Sequence, residues 1–87
     1  MENTVSNVTI YSSDSCRYCT MAKRLLNSKG ITPNEINVGR DPEMLNEMIV
    51  RSGRRTVPQI FFDDLHIGGY DDLLALNRQG RLELAGT

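Results

Sequence analysis

The pattern of hydrophobic and polar positions predicts four strands and three helices along this chain. Short runs that alternate in polarity, or that are rich in β-branched and aromatic residues, predict strands, whereas apolar residues recurring every three or four positions predict helices. The strands are expected at residues 8–11, 34–38, 59–62 and 65–67. The helices are expected to begin near Cys16, Pro42 and Asp71 and to stop at Gly30, Gly53 and Gly80.

The predicted order of these elements is β-α-β-α-β-β-α. Strands that alternate with helices favour parallel pairing, whereas the two residues between the last two strands, Asp63 and Asp64, favour a tight antiparallel hairpin. We therefore expect an α/β protein with a thioredoxin-like fold, in which a four-stranded mixed sheet is flanked by three helices.

Local signals place two of the helix starts. Asp41 followed by Pro42 and Glu43 is typical of a helix N-terminus, with a capping side chain, a proline at the first position and an acid in the first turn. Ser15 is the expected cap of the first helix, with Asp14 as the alternative. Because no repeat, linker or low-complexity segment interrupts the pattern, residues 1–87 are expected to form a single domain.

The composition of this domain argues against two classes of binding partner, nucleic acids and membranes. The net charge is −1, and the basic residues are spread out apart from a cluster at Arg51, Arg54 and Arg55. Nucleic acids and anionic membranes are bound by strongly positive patches, so we expect neither partner. No apolar run approaches the ~18 residues of a membrane span, and residues 1–7 do not resemble a secretory signal. We therefore expect a soluble, cytoplasmic protein.

Two cysteines, Cys16 and Cys19, lie where the first strand gives way to the first helix. The N–H groups and the dipole of a helix N-terminus stabilise a thiolate, and thiol pKa values fall from ~8.5 to about 3.5–7.5 at such sites. Cys16 is therefore the expected nucleophile, and Cys19, one turn further on, the thiol that resolves a mixed disulfide. In a reducing cytosol such a pair is more often catalytic or metal-binding than a structural cross-link.

Two other interpretations of the cysteine pair stay open at this point. The first alternative is that the cysteines form half of a structural zinc site. Structural zinc needs four ligands, and the chain offers only one histidine, His66, on a distant predicted strand, so we expect no metal site. The second alternative is that both cysteines are inert core residues.

Three blocks of sequence resemble the glutaredoxin family, over a range from Val8 to about Gly80. The blocks are Cys16-Arg17-Tyr18-Cys19, Arg55-Thr56-Val57-Pro58-Gln59-Ile60-Phe61 and Ile67-Gly68-Gly69-Tyr70-Asp71-Asp72-Leu73. Their spacing matches the family, and together they are far more specific than a lone pair of cysteines. The resemblance implies a thiol–disulfide oxidoreductase that reduces protein disulfides and glutathione mixed disulfides, with glutathione as reductant and no tightly bound cofactor.

The second block implies how glutathione would meet the nucleophile. By resemblance, Pro58 follows a cis peptide bond that turns the backbone of Val57 toward the active site, where it pairs with the cysteinyl unit of glutathione. Thr56 belongs to the same contact, and Tyr18 is expected to flank the glutathione sulfur. The alternatives are an ordinary strand-initiating proline at position 58 and a solvent-facing aromatic at position 18.

The third block implies where the γ-glutamyl group would bind. Gly68 and Gly69 let the backbone approach a ligand closely, and the following helix offers free N–H groups to a carboxylate. By resemblance, backbone donors near Asp71 bind the γ-glutamyl carboxylate, and the side chain of Asp71 or Asp72 binds its ammonium group. Helix capping by the two acids is the alternative role, and it is compatible with the first.

Two positions depart from the common pattern of the family. Arg17 stands where proline is common, and we expect its charge to favour the Cys16 thiolate unless it points into water and is screened. Ser13 stands where a lysine is common, so another cation is needed for the glycyl carboxylate of glutathione. Arg55 is the first candidate. The others are Arg40, Arg51 and Arg54, and the alternative is that these arginines only form a solvated basic surface.

Two further functions stand as alternatives. Some glutaredoxins that lack the motif proline hold a [2Fe–2S] cluster between two protomers with glutathione as co-ligand, and the loss of proline at position 17 permits this role. The other alternative is a redoxin reduced by thioredoxin reductase, which the second and third blocks disfavour. The expected partners are glutathione and glutathionylated or disulfide-containing proteins, with ribonucleotide reductase as a family-level candidate, and the expected state is a monomer.

Overall fold

The computed structural model describes residues 7–82. Its elements are β1 (Val8–Ser12), α1 (Arg17–Ser28), β2 (Asn34–Asn37), α2 (Pro42–Ser52), β3 (Gln59–Phe62), β4 (Leu65–Gly68) and α3 (Tyr70–Arg78). The predicted order is confirmed, and the strand and helix ends lie within a few residues of those expected. The expectations for residues 1–6 and 83–87 lie outside the described range.

The four strands form one mixed sheet in the order β2-β1-β3-β4. Strand β1 runs parallel to β2 and antiparallel to β3, and β3 and β4 form an antiparallel hairpin. The predicted two-residue turn is present at Asp63 and Asp64, where Asp63 takes a φ of 53°. Aspartate is one of the few residues that tolerate this left-handed conformation.

Strand β3 is buried at every position because helices cover both faces of the sheet. Ile60 and Phe62 point into a cluster with residues of α1 and α3, whereas Phe61 points to the opposite face and packs against residues of α2. This alternation follows from the two-residue period of a strand. A strand buried on both faces gives the loop before it, residues 53–58, a rigid support.

The first helix begins differently from the expectation. Ser15 has a φ of 59°, which is incompatible with the extended backbone of an N-cap, so the predicted cap at Ser15, or alternatively at Asp14, is wrong. The cap is Cys16, whose φ of −96° and ψ of 107° are extended and whose Sγ accepts a hydrogen bond from the Cys19 N–H at 3.1 Å. The expected nucleophile is therefore itself the N-cap of α1.

The second helix begins as the sequence predicts. The Asp41 carboxylate accepts hydrogen bonds from the N–H groups of Glu43 and Met44 at 3.1 and 3.3 Å, and Pro42 occupies the first helical position. Gly53 ends the helix with a φ of 73°, the left-handed conformation that glycine adopts readily.

Candidate active site

The two cysteines form a disulfide at the junction of β1 and α1. Cys16 is half-buried, whereas Cys19 is only 2% exposed because it lies on the inner face of α1. An incoming sulfur can therefore reach Cys16 and not Cys19. This difference in access agrees with Cys16 as the attacking thiol and Cys19 as the resolving one.

The charges around this helix end favour an anion at Cys16. The first turn of α1 contains no acidic residue, and Arg17 is exposed at its first position. The nearest acid in sequence, Asp14, is engaged by Arg40, whose Nε donates to it at 3.0 Å. This bond, together with one from Asn37, lowers the pKa of Asp14. The local negative charge is thus neutralised, while the dipole of α1 and Arg17 act on the sulfur.

The loop before β3 brings a backbone carbonyl to the reacting sulfur. The peptide bond between Val57 and Pro58 is cis, and the Val57 carbonyl oxygen lies 3.9 Å from Cys16 Sγ. Pro58 is buried, whereas Thr56 is exposed. The backbone of residues 56–58 therefore faces the disulfide with one side open to a ligand.

A cleft of about 270 Å³ lies along this loop. Its lining residues come from α1, the loop and strand start at 54–59, and the N-terminal turn of α3: Tyr18, Arg54, Thr56, Val57, Pro58, Gln59, Gly69, Tyr70, Asp71 and Asp72. Tyr18 and Tyr70 stack with their ring centroids 6.0 Å apart. The cleft thus brings together Tyr18 with the residues that the second and third sequence blocks suggested for glutathione binding: Thr56, Val57, Pro58, Asp71 and Asp72.

At the end of the first cleft nearest α3, Gly68 lies directly against the Asp72 side chain. Gly68 has a φ of 120°, and a Cβ atom at this position would collide with the Asp72 carboxylate. The Asp72 Oδ2 accepts a hydrogen bond from the Gly69 N–H at 2.9 Å and lies 3.4 Å from Arg54 Nη1. The bond from Gly69, followed by the contact with Arg54, lowers the pKa of Asp72.

The structure separates the four arginines suggested as the missing cation. Arg54 lines the cleft, whereas Arg55 is exposed and lies outside its lining. Arg51 donates to the Tyr11 hydroxyl at 2.7 Å, and Arg40 is paired with Asp14. Arg54 is therefore the arginine whose charge reaches this cleft.

A second, polar cleft of about 410 Å³ is lined by both cysteines and by Ser13. Its lining includes Glu35, which accepts hydrogen bonds from the Ser12 hydroxyl at 2.6 Å and from Lys23 Nζ at 2.9 Å. Both bonds lower the pKa of Glu35, and the bond from Ser12 contributes more than the bond from Lys23. The ion pair with Glu35 neutralises the charge of Lys23. Arg17 also lines this cleft, and its guanidinium has no partner among the described residues.

Two polar residues at the first cleft were not predicted from the sequence. The Gln59 side chain is buried on β3 and bonds both to Thr56 and to His66, at 2.8 Å from His66 Nε2. Burial, followed by the charge of Arg54, lowers the pKa of His66. The available signal was a glutamine at the start of an otherwise apolar strand.

Within residues 7–82, no cluster of three or more histidine, cysteine, aspartate or glutamate side chains is arranged to hold a metal ion. No helix in this range is long and apolar enough to cross a membrane.

Comparison with known proteins agrees with this geometry. The glutaredoxin family model matches residues 8–67. Glutaredoxin 3 of Escherichia coli (strain K12) is 51% identical over 79 residues, which span 91% of this chain and 95% of that protein. The solution structure of glutaredoxin from Brucella melitensis is 46% identical with a TM-score of 0.80, covering 94% of this chain and 91% of the other. The crystal structure of a buckwheat glutaredoxin–glutathione complex is 28% identical with a TM-score of 0.79, covering 86% and 71%.

Proposed function

Because this chain belongs to the glutaredoxin family, it is a thiol–disulfide oxidoreductase, and we propose that its reductant, glutathione, binds in the cleft beside Cys16. The observation that carries the proposal is the 3.9 Å distance between the Val57 carbonyl oxygen and Cys16 Sγ, at a cleft that also includes the N-terminus of α3. A tripeptide lying along the cleft would bring its own sulfur to Cys16. The buckwheat relative was solved as a complex with glutathione, which supports glutathione as the ligand.

The cysteinyl unit of glutathione pairs with the backbone of Val57, beside Thr56 and Pro58. Tyr18 covers the sulfur from the side of α1, and its ring is already held in place by the stack with Tyr70. Tyr18 is 58% exposed and its ring forms a wall of the cleft, so a bound glutathione would cover part of the face that is now open to solvent.

The γ-glutamyl unit binds at the start of α3. Its carboxylate accepts hydrogen bonds from free backbone N–H groups there, near Asp71. Its ammonium group binds the Asp71 side chain, which has no partner among the described residues, with Asp72 as a second contact since that carboxylate already holds the Gly69 N–H. Arg54 supplies a positive charge for a glutathione carboxylate.

The reaction with a glutathionylated protein proceeds through two exchanges. The Cys16 thiolate attacks the glutathione sulfur of the mixed disulfide, forms a disulfide with glutathione and releases the protein thiolate, which takes up a proton. A second glutathione thiolate then attacks the glutathione bound to Cys16, giving oxidised glutathione and restoring the Cys16 thiolate. With a protein disulfide as substrate, the Cys16 thiolate attacks one substrate sulfur, forms a mixed disulfide with it and releases the other substrate sulfur as a thiolate. The Cys19 thiolate then attacks Cys16 Sγ, releases the second substrate thiolate and forms the Cys16–Cys19 disulfide seen here.

The test separates glutathione dependence from the other candidates. Turnover of a glutathionylated peptide is coupled either to glutathione and glutathione reductase or to thioredoxin reductase, with NADPH consumption as the readout. We expect turnover only with the glutathione system, loss of activity in Cys16→Ser, and retention of peptide deglutathionylation in Cys19→Ser. Turnover with thioredoxin reductase alone would overturn the proposal. Colour and dimerisation after anaerobic incubation with iron, sulfide and glutathione would instead favour cluster binding.

We place the protein in the cytoplasm as a monomer that acts on glutathionylated and disulfide-containing proteins. Ribonucleotide reductase is one candidate substrate at the level of the family. The net charge of −1 supports the expectation that nucleic acids are not partners.

A further inference from the structure

A buried side chain connects β4 to the loop that lines the glutathione cleft. Gln59 is 1% exposed, and its Nε2 donates to the Thr56 carbonyl oxygen at 3.0 Å and to the Thr56 hydroxyl at 3.2 Å. Its Oε1 lies 2.8 Å from Nε2 of His66 on β4. All polar atoms of this buried amide are therefore engaged.

The direction of these hydrogen bonds assigns the protonation of His66. Because the Gln59 amide nitrogen donates to two acceptors on Thr56, the amide oxygen is left to accept. His66 Nε2 must therefore carry the hydrogen in this contact. The result is a continuous chain of donors and acceptors from His66 through Gln59 to Thr56.

His66 is itself held on a rigid support. Its ring packs on Phe61 with 4.9 Å between centroids, and Phe61 is 2% exposed. The Arg51 guanidinium lies 4.0 Å from the centroid of the same Phe61 ring. The far end of the hydrogen-bonded chain is thus fixed to the core, whereas its near end, Thr56, is exposed in the loop.

We propose that Gln59 and His66 are positioning residues for the glutathione reaction. They hold Thr56, and through it the adjoining Val57 carbonyl that lies 3.9 Å from Cys16 Sγ, in the geometry that the cysteinyl unit of glutathione meets. An apolar side chain would fill position 59 without desolvating an amide. The amide instead supplies two hydrogen bonds to the cleft loop. This inference rests on the proposed glutathione cleft.

The test uses two substrates that differ only in what the cleft would recognise. One peptide is prepared as its mixed disulfide with glutathione and as its mixed disulfide with cysteamine, which lacks the γ-glutamyl and glycyl units. The rate constant for attack by the pre-reduced protein is measured on each, and their ratio reports recognition of glutathione. We expect Gln59→Met to lower this ratio about tenfold, the scale expected for loss of two hydrogen bonds.

His66 variants test the connection without altering the buried amide. His66→Leu removes the donor to Gln59, and we expect the ratio to fall about threefold, the scale of one hydrogen bond. His66→Gln keeps a side-chain N–H donor and should restore most of the ratio. In the double variant Gln59→Met/His66→Leu the ratio should be no lower than in Gln59→Met alone, since both changes interrupt the same chain of hydrogen bonds.

Several outcomes would overturn the positioning role. One is a ratio that stays at the wild-type value in both Gln59→Met and His66→Leu while thermal stability falls, which is the signature of a merely structural role. Another is a double variant whose losses multiply. Because His66 is only half-buried, its variants keep the test available if Gln59→Met does not fold. A wild-type protein that attacks both peptides equally fast would instead refute the glutathione cleft itself, and the positioning role with it.

Discussion

Arg54 and Asp72 face each other at the cleft, with 3.4 Å between Arg54 Nη1 and Asp72 Oδ2. The two side chains are 50% and 48% exposed, so the pair contributes little to stability. Its consequence is the placement of charge. A cation from the loop after α2 is held against the first turn of α3, where the backbone N–H groups also attract an anion.

This placement predicts which arginine serves glutathione. We expect Arg54→Ala to raise the KM for glutathione about fivefold, the equivalent of ~1 kcal/mol for one exposed charge contact, with a smaller effect on kcat. Arg55→Ala is the matched control, because it removes the same charge from the neighbouring position outside the cleft lining. Steady-state kinetics at low and high salt measure the difference, which salt should reduce. A larger effect of Arg55→Ala would contradict the assignment.

Gly68 predicts a steric test of the same end of the cleft. Gly68→Ala places a methyl group against the Asp72 carboxylate and forces a non-glycine residue to a φ of 120°. We expect a loss of about 1–3 kcal/mol in the free energy of unfolding, measured in urea, together with a raised KM for glutathione. Gly30→Ala is the control, since Gly30 has a φ of 78° but open space around its Cβ position. The control should lose stability without changing KM, and equal KM effects would count against the steric argument.

The lowered pKa of Asp72 predicts a pH-dependent contribution to stability. The carboxylate accepts the Gly69 N–H and contacts Arg54, so its pKa in the folded protein lies below its usual value of 3.8. A carboxyl of this kind stabilises the fold above the pKa of the unfolded chain, and the contribution is lost as the pH falls through the folded value. Asp72→Asn should therefore be less stable than wild type at pH 7, and the gap should narrow below about pH 3.8.

Urea unfolding at several pH values measures that gap. Asp71→Asn is the control, because its exposed carboxylate has no partner among the described residues and its removal should leave a smaller gap at pH 7. A gap between wild type and Asp72→Asn that stays constant down to pH 2 would show that the lost charge is not the cause.

Arg17 predicts a shift in redox potential. Replacing it with proline, which is tolerated at the first position of a helix, removes a positive charge beside Cys16. Loss of ~0.3–1 kcal/mol of thiolate stabilisation would raise the pKa of the Cys16 thiol in the reduced protein and lower the potential by about 5–20 mV. Thiolate absorbance and equilibration with glutathione buffers measure the two quantities. Arg24→Ala, an exposed charge further along α1, should change neither, and an unchanged Arg17→Pro protein would mean that solvent screens the charge.

The fold was predictable to the extent that each element carries its own signal. The Asp41-Pro42 start and the Gly53 end of α2 appear in the structure as the sequence predicts, because capping depends on a few adjacent residues. The cap of α1 was not predictable in the same way. Ser15 has the better capping side chain, but the backbone there takes a φ of 59°, a conformation set by how β1 and α1 meet in space.

In the candidate site, too, features set by neighbouring residues could be predicted from the sequence, whereas features set by the tertiary structure could not. Cys16 and Cys19 are close in sequence, so their spacing was enough to suggest the chemistry. The choice of Arg54 over Arg55 depends on which side chain turns into the cleft, and two adjacent arginines look alike in sequence. The connection from His66 to Thr56 was invisible because it requires the register of β3 against β4, which pairs Phe61 with His66.

Because Cys16 is the N-cap of α1, a hydrogen bond at the N-terminus of this helix reports the redox state of the nucleophile. The Cys19 amide donates to Cys16 Sγ, so the acceptor of that hydrogen bond is the atom whose charge changes during turnover. In the reduced protein a thiolate accepts it, and hydrogen bonds to ions are stronger than those to neutral groups. The Cys19 amide proton should therefore exchange with solvent more slowly, and resonate at a different frequency in NMR, when the protein is reduced. A single backbone signal would then follow the redox state without any added label.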